Sequence, residues 1–259
     1  MGAPLHVQAL ASPATSAVCC VLLCTHAWVL HRGLGYGDVG YTHRALREGR
    51  VHRAAVAACA HVHPLHLAFN LAGLWALRPV EGALGSGEYL RASLLLLAGG
   101  AALTHAAYHA LIVWLRRDGY DRHEVVGYSG VVFGLMALQA ARAPRGAVLV
   151  VLGARVPAAL APFASLLLTS LLVPNASFIG HAAGILAGFA LGLGGLRVLS
   201  AHASLLILAS CAAACAHSAG LTSWLRLWAT AAGAARPGDG LGPTRIIGGR
   251  VVRTPLEEC

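Results

Sequence analysis

The residues able to do chemistry in this chain are few, and they sit in long apolar runs. Ser129 lies in Gly127-Tyr128-Ser129-Gly130, at the head of a run that meets no charge until Arg142. The last charges before it are Asp118, Asp121, Arg122 and Glu124. As a helix, the thirteen residues from Ser129 to Arg142 cover roughly 20 Å, against a hydrocarbon core about 30 Å thick. With Arg142, Pro144 and Arg145 at the far interface, Ser129 lies about 10 Å below the near one. A serine in a membrane helix ordinarily bonds back to a backbone carbonyl. Here glycines on both sides leave room for another backbone, which points to chemistry inside a membrane.

A serine nucleophile needs a base. His181 opens a second apolar run, FIGHAAGILAGFALGLGGLR at 178–197. The sixteen residues from His181 to Arg197 make roughly 24 Å of helix, so His181 reaches a similar depth if both helices run the same way. Gly130 and Gly134 on one run, and Gly180, Gly184 and Gly188 on the other, form small-residue faces that let membrane helices pack closely. No carboxylate is near either residue in sequence, so a Ser-His dyad is expected. Phe133, one turn after Ser129, is placed to pack under the His181 ring in place of an acid. His66 and Asn70, at i and i+4, share one helix face. The twelve residues from His66 to Arg78 make roughly 18 Å of helix, close to the same depth. That pair, with the Ser129 amide, is a candidate oxyanion hole; the bland alternative is a buried amide and imidazole tying helices together.

These residues carry a resemblance. GYSG followed by VVFG, then GHAAGILAG some fifty residues on, resemble the rhomboid family of intramembrane serine proteases. A third block, HVHPLHLAFNLAGLWALRPVEGALGS at 61–86, matches the family's His, HxxxN and Glu before Leu-Gly-Ser at His61, His66, Asn70, Glu81 and Leu84-Gly85-Ser86. The resemblance covers about residues 15–200. The run VPNASFIGHAAG at 173–184 is most similar to eukaryotic rhomboids of the early secretory pathway. It implies catalytic Ser129 and His181, transition-state donors His66 and Asn70, and supporting His61, Phe133, Gly127, Gly130 and Gly184. It also implies a cytosolic amino terminus, with the site open to the lumen or exterior, and Glu81 as a structural tie. One pair departs from the pattern: where the family carries Trp-Arg in its first loop, this chain has His52-Arg53. Losing the indole removes an interfacial anchor.

Composition agrees with a membrane protein. Of 259 residues, 57% are hydrophobic and 11% charged, with a mean hydropathy of +0.68. This excludes an ordinary soluble domain. The nineteen basic residues are all Arg and are scattered, so the +9 balance is no nucleic-acid patch. Most of the seven cysteines lie in apolar stretches as small hydrophobes. No disulfide framework is implied.

The expected fold is an all-α membrane protein, a rhomboid-like bundle of six transmembrane helices with a possible seventh. The spans are placed near 14–31, 62–78, 91–115, 126–142, 157–173 and 178–197, with 203–220 as the seventh. Residues 1–13 form an amino-terminal tail, 14–200 the protease core, and 201–259 a segment ending in a disordered tail. The first span competes with a signal peptide, but no positive charge precedes it and no cleavage site follows. Loop arginines do not decide orientation. Asn175-Ala176-Ser177 is a formal glycosylation sequon abutting the sixth span.

The function expected is an endopeptidase cutting transmembrane segments of single-span proteins within the lipid bilayer. No cofactor, metal or nucleic acid is expected, and the membrane is the endoplasmic reticulum or another secretory-pathway membrane in preference to mitochondria. A rhomboid-like pseudoprotease that binds membrane clients without cutting them is the alternative; this chain keeps the serine and histidine that such relatives typically lose. A metal reading rests on His61, His63 and His66 with His105 and His109, two of which sit at i and i+4. It lacks a carboxylate or thiolate in the same spans.

Overall fold

The computed structural model describes residues 4–151, 153–173 and 176–220, and the backbone of 241–247 and 250–255. The chain divides into two units, the second beginning at Ala219. In the first unit, α1 (Leu5–Ala11) lies within the expected amino-terminal tail and leads into α2 (Pro13–His31). The stretch between the first two expected spans folds into three short helices, α3 (Tyr36–Val39), α4 (His43–Arg47) and α5 (His52–Cys59). Next come α6 (Pro64–Ala76), α7 (Arg78–Leu84), the long α8 (Ser86–Leu115) and α9 (Ser129–Arg142). A hairpin of β1 (Val148–Val151) and β2 (Ala154–Pro157) precedes α10 (Ala161–Leu172), α11 (Phe178–Ala190), α12 (Leu196–Val198) and α13 (Ala201–Ser218).

The bundle is helical, as expected, and each expected span holds a helix. Pro13–His31, Ser86–Leu115, Phe178–Val198 and Ala201–Ser218 have the length and apolar character to cross a membrane. The last of these is the expected seventh segment. With 13 and 14 residues, α6 and α9 cover only about 20 Å. Both begin where the site lies, after the non-helical stretches 61–63 and 125–127. Such backbone is tolerated at membrane depth only where protein buries it or a cavity takes it.

Two ties set the frame. Buried Glu81 accepts from the Ala14 and Thr15 amides at 2.8 and 2.7 Å, and from the Thr15 and Ser86 hydroxyls at 2.7 Å each. A carboxylate at the orphan amides of α2's first turn suits the helix dipole, and the same side chain reaches the start of α8. Arg53 donates to the carbonyls of Gly37, Asp38 and Gly40 at 2.8–2.9 Å. The second tie closes the loop of α3–α5, next to the place where an indole is missing. There His52 takes another partner: its amide and Nδ1 lie 3.0 Å from Ser218 Oγ on α13.

The main core joins Leu22 of α2, Leu67 and Leu74 of α6, Tyr89 and Leu96 of α8, and Val131, Leu135 and Leu138 of α9. Against it, α9 and α11 pack backbone to backbone. A Cβ on Gly184 would overlap the Gly130 carbonyl, and one on Gly188 the Gly134 carbonyl. Beyond α11 a single π turn, with Gly194 at φ 146°, redirects the chain into α12.

In the second unit, β3 (Leu241–Ile247) pairs antiparallel with β4 (Arg250–Pro255). Both strands fall in the tail for which disorder is expected. Residues 221–240 and 256–259 of that tail, and Asn175 of the sequon, lie outside the described residues.

Candidate active site

Ser129 is the first residue of α9 and follows a turn made possible by Gly127 at φ 101°. The Gly127 amide donates to the Ala57 carbonyl at 2.8 Å, and Val125 pairs both ways with Tyr41. The approach to the serine is thus held by the loop of α3–α5. A side chain at 127 would run into the His66 ring, so glycine is required on steric as well as conformational grounds.

His181 lies in the first turn of α11. The Ser177 hydroxyl accepts the Gly180 amide at 3.1 Å, and the Ser177 carbonyl accepts the His181 amide at 3.0 Å. Because glycines let α9 and α11 touch, the two helix starts come together. His181 Nε2 is 2.7 Å from Ser129 Oγ. The imidazole is 5% exposed and stacks on Phe133, with centroids 4.5 Å apart and planes at 27°. Its Nδ1 has no hydrogen-bond partner among the described residues. The ring is held by stacking and by its helix, with no acid behind it.

His66, Asn70, Ser129 and His181 line one cavity of about 1040 Å³, which extends past Met136 and Leu168. Asn70 Nδ2 donates to the His66 carbonyl at 2.9 Å, while its buried Oδ1 has no partner among the described residues. An amide nitrogen carries two hydrogens, so one stays available beyond this bond. As the first residue of α9, Ser129 adds an orphan helix amide. The arrangement has a serine hydroxyl touching an imidazole, with candidate oxyanion donors lining the same space.

His61 is placed differently from the others. It is fully buried behind Gly127, edge-on to His66 with centroids 5.0 Å apart, and is not among the cavity-lining residues. His105 and His109 lie apart from that pair, around buried His43. His43 Nδ1 is 2.9 Å from Asp121 Oδ1, its Nε2 is 3.3 Å from His109 Nδ1, and its ring stacks on His105 at 4.6 Å. Among the described residues, no three His, Cys, Asp or Glu side chains are placed to hold a metal.

Two further residues, one capping the helix of His181 and one touching that cap, are not marked as functional by the sequence. Ser177 entered only as part of the sequon, although a serine before an apolar helix is an N-cap signal. Tyr108, whose hydroxyl lies 3.2 Å from Ser177 Oγ, carries no such signal.

Residues 48–198 match the family model described as the rhomboid domain. The chain is similar to curated relatives that include the following three. Rhomboid-like protein 14, mitochondrial, of Arabidopsis thaliana is 32% identical over 56% of this chain and 44% of its own length. Rhomboid-like protein 15 of the same plant is 30% identical over 56% of this chain and 37% of its own. Rhomboid-related protein 4 of Homo sapiens is 33% identical over 52% and 43%. Each match spans less than half of the relative. No solved structure matches the chain. Together with the four helices of spanning length, the match marks an integral membrane protein. The expected preference for the secretory pathway finds no support in these relatives, one of which has a mitochondrial name.

Proposed function

Because this chain belongs to the rhomboid family, we propose that it is an intramembrane serine endopeptidase working through a Ser129–His181 dyad. The observation that carries the reading is the 2.7 Å contact between His181 Nε2 and Ser129 Oγ, made inside a cavity at the starts of α9 and α11. A hydrogen bond of this kind lets the imidazole take the hydroxyl proton as the oxygen adds to a peptide carbonyl. The tetrahedral oxyanion would accept from the Ser129 amide, the free Asn70 N–H and His66. Protonated His181 would then give its proton to the leaving amine. Water, activated by the same imidazole, would release the acyl group. The substrates are proposed to be single-span membrane proteins.

The test is a serine-directed fluorophosphonate on the purified full chain in lipid nanodiscs, with cleavage of a single-span model substrate alongside. Ser129→Ala should abolish both labelling and cleavage, and His181→Ala should reduce both to background while the bundle stays folded by circular dichroism. Full turnover in either folded variant would sink the dyad. A wild-type chain that neither labels nor cuts, yet captures the substrate, would instead be a client-binding protein without protease activity.

A further inference from the structure

We propose that Tyr108 and Ser177 act as a positioning pair that stands in for the missing acid behind His181; this rests on the reading of Ser129 and His181 as the reacting groups. His181 Nδ1 has no partner among the described residues, so the angle of the ring must be set by Phe133 and by the helix that carries it. That helix begins at Ser177. The Ser177 Oγ takes the Gly180 amide and its carbonyl takes the His181 amide, so one residue holds both ends of the turn in which His181 sits. Its hydroxyl is in turn held from outside the helix by Tyr108 at 3.2 Å, and either oxygen can donate.

Tyr108 also faces the other half of the site. It is 1% exposed, stacks on Tyr120 at 5.3 Å and meets the edge of His123 at 5.8 Å. Both neighbours lie on the segment that runs through Val125 and Gly127 into Ser129. One buried side chain on α8 therefore touches the base's N-cap through its hydroxyl and the nucleophile's approach through its ring. The hydroxyl is the part that would set imidazole orientation; the ring is the part that fills space. This separation makes the role testable, because Tyr108→Phe removes one and keeps the other.

The experiment uses the full chain in nanodiscs. Tyr108→Phe and Ser177→Ala should each lower kcat about three- to tenfold with KM unchanged, the size of one lost hydrogen bond acting only at the chemical step. Ser177→Thr, which keeps the capping oxygen, should restore most of the rate. The double variant should be no slower than the slower single one, because both changes cut the same link. A second readout needs no turnover: the ¹⁵N resonance of His181 Nε2, assigned by its loss in His181→Ala, should shift in Tyr108→Phe and Ser177→Ala and return in Ser177→Thr. Lower thermal stability with kcat and resonance unchanged would overturn the pair, as would single effects that simply multiply. If the wild type neither labels nor cuts, the protease reading fails while the resonance still decides whether the pair positions His181.

Discussion

At the scale of single residues, the proposed oxyanion role of Asn70 can be argued from its one hydrogen bond. One of its amide hydrogens is already committed to the His66 carbonyl one turn back, which fixes the plane of the group. On the proposed reading the second hydrogen is held ready before substrate arrives, and such preorganisation is what makes an oxyanion donor effective. Asn70→Ala should therefore lower kcat by about 10²–10³-fold with a small change in KM. Asn70→Asp, isosteric but an acceptor at that point, should be at least as poor. Loss of thermal stability with kcat intact would make the residue a helix tie only. Spacing made this residue and the serine legible, since both stand alone in apolar runs. The residues that orient them were not legible, because they act through contacts across the bundle. His61 is expected from the sequence as a supporting residue, and the structure buries it against Gly127 and edge-on to His66.

At the scale of elements, the site depends on how closely helices approach. The glycine faces of α9 and α11 are a pattern that sequence shows directly, and the structure gives the reason for it. Gly184 sits against the Gly130 carbonyl so closely that even one methyl must move backbone. Gly184→Ala should push α11 from α9, lengthen the Ser129–His181 contact and cost about 1–3 kcal/mol from overpacking. The check is activity against insertion: a membrane-inserted variant with wild-type turnover would show that close packing does not set the dyad. The Glu81 tie yields a different test. Burial opposes its charge, but bonds from Thr15, Ser86 and the Ala14 amide outweigh this and hold the carboxyl below its ordinary range. A lowered folded pKa adds stability that is complete above the unfolded value, about 4.3, and is lost as pH falls through the folded value. Glu81→Gln should thus melt below wild type at pH 7, and the gap should narrow as pH is taken below about 4. An equal gap at both pH values would mean that the carboxylate charge contributes nothing. The sequence marks Glu81 by its place in a family block. It does not show that the partners are the first turn of α2, 66 and 67 residues away.

At the scale of the whole molecule, the order of spans was legible because each is an apolar run bounded by Arg, Gly or Pro. The β1–β2 hairpin and the His52–Ser218 tie were not, since one arises in a short connecting run and the other joins residues 166 positions apart. What the assembled bundle implies for its substrate follows from depth. On the proposed reading, with Arg142 at the far interface, the 14 residues of α9 cover about 20 Å and would place Ser129 about 10 Å below the near surface. A transmembrane helix reaching that level has its backbone carbonyls bonded within itself, and a carbonyl so bonded is not presented to a serine. A segment must unwind near its end on the site's side before cleavage. Gly and Pro weaken a helix by about 1 and 3 kcal/mol, so segments that carry them shortly inside the boundary unwind at least cost. Ala or Gly is proposed beside the scissile carbonyl, since Gly127 and Gly130 bring neighbouring chain close to Ser129. A single-span substrate with a small residue at the boundary and a helix breaker a few residues further in should therefore be cut. Replacing that stretch with Leu throughout should abolish cleavage while leaving insertion unchanged, measured by glycosylation-mapped topology and by product on gels. Putting back one Gly-Pro pair should restore cutting at the original bond. Equal cutting of the all-Leu and original segments would mean that selection rests on side-chain contacts in the cavity and not on the cost of unwinding.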